Sequence, residues 1–139
     1  MQPTDAEVTE VTVATQDLRQ AGEYLIRHGW HQGGLFDQPG AVAPAASASG
    51  AIRMVVLGRP DWRAWWELPR HEFTRICVAE SWLAAFLTVY GLTEVDRDAD
   101  KAWLVVQHWN DRADTAAAHV IAALYGTAEV CQHSRDGGR

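Results

Sequence analysis

His28 and His31 stand three residues apart at the end of an expected helix, a spacing that offers two imidazole nitrogens to a metal if His108 or Asp111 completes the set. The competing reading is structural. There His28 faces the negative end of the helix and His31 hydrogen-bonds within its turn, and on that reading no metal is expected. Asp96-Arg97-Asp98-Ala99-Asp100 imitates the first half of a calcium loop, but Lys101 stands where the loop needs glycine and Gln107 where it needs glutamate. A solvated acidic turn is the expectation. His71-Glu72 lacks the second histidine of a metalloprotease helix, because Arg75 holds that place. Cys77 falls inside the most apolar helical segment, where burial makes a thiol inert, and Cys131 has no cysteine near it, so neither a zinc cluster nor a disulfide framework is implied. Ser47 and Ser49 beside Gly50 form no nucleophile elbow, and no glycine-rich phosphate loop is present. The leading reading is therefore neither an enzyme nor a cofactor protein.

Two constellations remain. Trp30, His31, Gln32 and Asp37 on one turn, and Trp109, Asn110 and Asp111 on another, could fix a small ligand in a shared pocket, with His31 as acid or base and Asp111 orienting it. The favoured alternative has Asn and Asp closing turns while Trp plugs a gap between helices. The second constellation is Arg53 to Arg75, where five of the eleven arginines stand among Trp62, Trp65 and Trp66 and only Asp61, Glu67 and Glu72 oppose them. Planar donors and large rigid apolar faces are the groups enriched at interaction hot spots. Arg59, Trp62, Arg63, Trp65, Trp66 and Arg70 are thus expected to dock a protein partner, an acidic one by charge, and a homodimer could bury the same rings. Against this stands the reading in which the indoles cap a helix and the arginines pair with carboxylates of the same molecule.

The elements that must position these groups follow from composition and periodicity. A chain of 139 residues with 47% hydrophobic residues makes one domain, and a net charge of −6 disfavours nucleic acid as a general partner. No apolar run reaches the roughly 20 residues of a membrane span and the start has no signal-peptide pattern, so a cytosolic protein is expected. Residues 1–14 read as a loosely held start, with Thr15 capping a helix that carries Leu18, Ala21, Leu25 and Ile26 and ends at His28 before Gly29. Residues 71–90 give the clearest helix, apolar on two faces and hence central. A last helix is expected over 115–131, with Gly126 weakening it and a disordered tail over 132–139. The apolar runs near Met54–Leu57 and Leu104–Val106 are ambiguous between helix and strand. The expected architecture is a mainly α single-domain bundle of about four helices, to which those runs could add a short two-stranded element.

The segments Gly29-Trp30-His31-Gln32-Gly33, Gly50-Ala51-Ile52 and Trp109-Asn110-Asp111, the last followed by Val120 and Leu124, resemble in order and distance the motifs of a family of small uncharacterised proteins from actinobacteria, some proteobacteria and their phages. His31 stands where that family often has Cys or Thr, and the Ala45–Gly50 segment lacks its Cys. The resemblance implies a shared fold and no particular activity. The functional expectation is a cytosolic binding or regulatory protein, phage-related, of inhibitor or immunity type, engaging a macromolecular partner through residues 53–75.

Overall fold

The computed structural model describes residues 4–93 and 101–136. Five helices follow one another among these residues: α1 (Asp5–His28), α2 (Ala48–Leu57), α3 (Arg70–Val89), α4 (Ala102–Asn110) and α5 (Ala117–Asp136), with a 3₁₀ turn at Trp65–Glu67 between α2 and α3. The mainly α expectation holds, with five helices where about four were expected. The two-stranded element does not form, because both of its candidate segments lie in α2 and α4. Strand-type pairing among the described residues is limited to isolated bridges from Ala46 to Trp30 and Phe36. The acidic run 96–100 lies outside the described residues.

The start of the chain is helical, contrary to expectation. Thr4, not Thr15, is the cap: its hydroxyl accepts from Glu7 N at 3.2 Å and Glu7 returns a carboxylate to Thr4 N at 2.7 Å, a complete capping box. Thr9, Thr12 and Thr15 then bond back to the carbonyls of Asp5, Val8 and Val11, so these residues are accommodated inside a helix they do not favour. The partner that holds this turn is the far end of α5. Cys131 Sγ donates to Val11 O, Arg135 reaches the Thr12 hydroxyl, and Arg19 bonds both Glu129 and Gln132. Residues 132–136, expected to be disordered, are helical for the same reason: two termini that lack local stability support each other.

Small residues set the closest approaches. A Cβ on Gly126 would lie 2.7 Å from the Phe86 ring and one on Gly22 3.1 Å from Tyr125, so the glycine that weakens α5 is also what lets α3 pack against it. In α2, Ser47 caps the helix by accepting from Gly50 N, and Ala48 through Ile52 are wholly buried. The core is built from Leu18, Ile52, Leu83, Leu87, Val106, Val120 and Leu124, all fully buried. Helix α3 buries Ile76, Ala79, Glu80, Leu83, Ala84 and Leu87, while its second apolar face is half-buried or, at Ala85 and Val89, exposed. It is therefore a wall of the core and not its centre, and Cys77 is only half-buried. No helix among the described residues is long and apolar enough to cross a membrane.

Gly50 gives the sharpest packing test, since a Cβ there would stand 2.1 Å from the Leu35 carbonyl oxygen, which is backbone and held by Ser47 N. By propensity alone Gly50→Ala should stabilise α2 by about 1 kcal/mol. We expect the opposite, a loss of roughly 2 kcal/mol or more in urea denaturation, because overpacking against a fixed backbone outweighs propensity.

Candidate functional site

The two Trp-bearing turns do meet, and Asn110 is what joins them. Trp109 and Asn110 close α4 as buried residues, not as the polar turn expected, and Asp111 follows as the C-cap. The Asn110 carboxamide oxygen accepts from Trp30 Nε1 at 2.8 Å and from Ala48 N at 3.0 Å. Its nitrogen donates to His31 O at 3.1 Å and to Asp111 Oδ1 at 3.0 Å. Both acceptor and both donor positions of the amide are thereby filled. Gln32 Nε2 donates to the carbonyls of Asn110 and Arg112, while Gly33 N and Gln107 Nε2 donate to the Asp111 carboxylate. Burial pushes the Asp111 carboxyl up, but these hydrogen bonds and the nearby His31 hold it below the ordinary range. Asp37 is exposed in the loop, and Trp109 packs into the core. The described residues contain no group of three or more His, Cys, Asp and Glu side chains placed to hold a metal.

Four of the five arginines of the 53–75 segment are bonded within the same molecule, although Arg59 and Arg63, like Arg70, stay exposed. Asp61, nearly buried, takes Arg63 through Nε at 3.0 Å and Nη2 at 2.7 Å and Arg59 at 3.4 Å. Hydrogen bonds from the Arg63 side chain outweigh burial and hold the Asp61 carboxyl down at about 2. Arg53 Nη1 donates to the carbonyls of Asp61 and Arg63, and Arg75 pairs with the buried Asp17 at 2.7 Å. The indoles face outward: Trp62 is 49% exposed, Trp65 52% and Trp66 68%, and Arg70 is exposed beside them. Trp62 meets Phe36 edge-on, and Trp65 stacks on Phe73 with centroids 5.5 Å apart.

Behind those indoles lies a cavity of about 470 Å³. Trp62, Trp65 and Phe73 form one wall and Trp103 of α4 another, with Leu35 of the first turn and Gln107 of α4 beside them. Ser49 and Arg53 enter from α2 and Glu80 from α3. Ser49 and Glu80 are each 5% exposed, and Ser49 Oγ and Glu80 Oε2 have no hydrogen-bond partner among the described residues. Burial pushes the Glu80 carboxyl up to about 7, with the Arg53 charge opposing it. Burial, with Glu80 close by, also raises the Cys77 thiol, which is the opposite of what activates a thiol nucleophile. Sequence reasoning weighs Ser49 and Gln107 only for other chemistry, as a nucleophile and in a calcium loop, and does not single out Phe73, Glu80 or Trp103. One signal was available: Glu80 interrupts the Ile76–Leu83–Leu87 stripe, a lone acid on the face that must be buried.

The molecule is thus a small, mainly helical protein with a sealed junction between its two Trp-bearing turns and, next to it, an aromatic-lined cavity with unpartnered polar groups among its lining residues. Residues 9–130 match the model of DUF6197, a family of unknown function, and the chain belongs to that family. No curated protein and no solved structure matches it.

Two outcomes follow from the site's energetics. Asn110→Ala strands the buried donors of Trp30 and Ala48, and urea denaturation should show a loss on the order of 3 kcal/mol. The Glu80 carboxyl keeps its proton in the folded chain up to about pH 7, whereas the unfolded carboxyl loses it near 4.5, so the folded state binds the extra proton between those values. Its contribution to stability therefore falls as pH rises through that window and is level above it. Glu80→Gln should abolish this component and gain stability over the parent chain from pH 5 to pH 8, by up to about 3 kcal/mol. Equal pH profiles for the two proteins would refute the assignment.

Proposed function

We propose that this is a binding protein whose Arg/Trp segment walls a small-molecule pocket. The observation that carries the reading is the pair of unpartnered buried groups, Ser49 Oγ and Glu80 Oε2, on residues that line a cavity bordered by Trp62, Trp65 and Trp103. An orphaned buried polar atom costs about 1–3 kcal/mol, and a pocket that tolerates two of them has a use for them when something is bound. The cavity volume lies within the range of small-ligand sites, which are mostly apolar with a few placed polar groups. Arg59 and Arg63 enter this reading as scaffold: by fixing Asp61 they shape the loop that carries Trp62 and Trp65.

A second reading, the docking of a protein partner, draws support from the outward indoles of Trp62, Trp65 and Trp66 with Arg70 beside them. In it, a partner's side chain takes the place of the small molecule, in keeping with a cytosolic, phage-related protein of inhibitor or immunity type. A homodimer through the same rings belongs to it too, and sedimentation would detect that. The pocket first imagined between the Trp30-His31-Gln32 and Trp109-Asn110-Asp111 turns draws little support, because the polar atoms there satisfy one another.

Ligand-observed NMR with a library of flat fragments should give mutually competing hits on the parent chain. Ala64→Trp, which narrows the cavity from an only partly buried position, should weaken them about tenfold or more with little change in melting temperature. Hits indifferent to this substitution, or none, would remove the small-molecule reading and leave docking, for which Trp65→Ala and Trp66→Ala should abolish association with whatever partner or second copy is bound.

A further inference from the structure

Resting on the reading of this cavity as a ligand site, we infer that its ligand is a free, neutral, planar nitrogen heterocycle that presents a ring N–H, flanked by an amino group or carbonyl, to Glu80 and Ser49. The walls ask for flatness. Trp62, Trp65 and Trp103 are each about half exposed, and indole faces stack on any flat ring. The buried groups ask for hydrogen bonding. Glu80 Oε2 lacks a donor and Ser49 Oγ lacks any partner, so the complementary edge carries at least one N–H for the carboxyl and one acceptor or donor for the hydroxyl.

Charge then selects among flat ligands. Glu80 and Arg53 line the same cavity and influence each other electrostatically, but the Glu80 carboxyl keeps its proton up to about pH 7, so near neutrality it is no full counter-charge, and Arg53 Nη1 is already directed to the carbonyls of Asp61 and Arg63. A cationic ligand would meet the Arg53 guanidinium without a full anion to offset it, and an anionic one would bury its charge beside a carboxyl while Nη1 of that guanidinium is already committed. A neutral edge that hydrogen-bonds the carboxyl and the hydroxyl avoids both costs and removes both unsatisfied atoms. The chain's net charge of −6 argues against a polyanionic strand as the source of the ring, which points to the free heterocycle.

Calorimetric titration of the full chain tests this with guanosine as the probe, 1-methylguanosine to block the ring N–H, tryptamine and indole-3-acetate as charged flat molecules, indole as an apolar one, and a guanine-rich single-stranded octamer. Guanosine should bind more tightly than indole, tryptamine and indole-3-acetate. Blocking the ring N–H, or introducing Glu80→Gln or Ser49→Ala, should each weaken guanosine about tenfold while leaving indole within about twofold. Two substitutions at separate sites keep the test valid if one impairs folding, which far-UV circular dichroism would show. Tighter binding of tryptamine or indole-3-acetate would overturn the neutral edge, and tighter binding of the octamer would overturn the free form. If indole binds and Ala64→Trp blocks it, yet guanosine does no better, the inference fails and the pocket reading stands. If no probe binds, indole included, both fail.

Discussion

The side-chain amide of Asn110 is the contact on which the rest of the arrangement hangs. It is fully buried at the end of α4, and through four hydrogen bonds it ties together the loop after α1, the first residue of α2 and the start of the α4–α5 connection. A buried amide with all of its positions filled gains from the low local dielectric, whereas the same group half-filled would be a liability. Three different segments must therefore be present at once for the contact to be worth making, and such a requirement specifies a single arrangement of otherwise interchangeable helices.

That clasp also sets the cavity. Ala48, whose N–H reaches Asn110, precedes Ser49, and Gln107 and Trp103 stand one and two turns back along the α4 face that leads to Asn110. Glu80 enters the cavity from α3. The junction and the pocket are thus consecutive parts of one construction: the first converts the Trp-Asn-Asp and Gly-Trp-x-Gln-Gly segments into a rigid hinge, and the second uses the rigidity to keep two polar groups without partners from collapsing onto each other.

Much of this was legible in residue order, and the parts that were not have physical causes. Helix α3 was read as 71–90 and is Arg70–Val89, because its stripe is long and Gly91 stops it in the left-handed region. The first ten residues of α1 were missed because Val and Thr are poor helix formers; what makes them helical is a capping box at Thr4 and contact with the end of α5, a tertiary effect with no local trace. The short apolar runs of α2 and α4 carry no usable period, since three or four consecutive apolar residues look alike in helix and strand. The Arg/Trp segment stands out by composition, yet composition does not say that Asp61 gathers two of its arginines. Asn110 and Asp111 were named as turn-closing residues, which is close to what they do, whereas Glu80 was passed over inside an apolar stripe.

Glu80 is where local folding logic fails to account for the residue present. A leucine or methionine would continue the Ile76–Leu83–Leu87 face and avoid the cost of burying a carboxyl, and no hydrogen bond among the described residues rewards Oε2 for being there. The Arg53 charge offsets part of the cost, but its Nη1 is already directed to the carbonyls of Asp61 and Arg63 and the two residues form no ion pair within 4.0 Å. A group whose environment pushes its proton affinity toward neutrality, at the edge of an aromatic cavity and next to an unpartnered hydroxyl, has the features by which binding sites depart from the rules of stable cores. The departure is local: among the described residues the buried side chains of Asp17, Asp61 and Asn110 are all paired, whereas Ser49 Oγ and Glu80 Oε2 are not. Among those residues the imperfection is therefore concentrated beside an aromatic-lined cavity, where an incoming molecule could complete it.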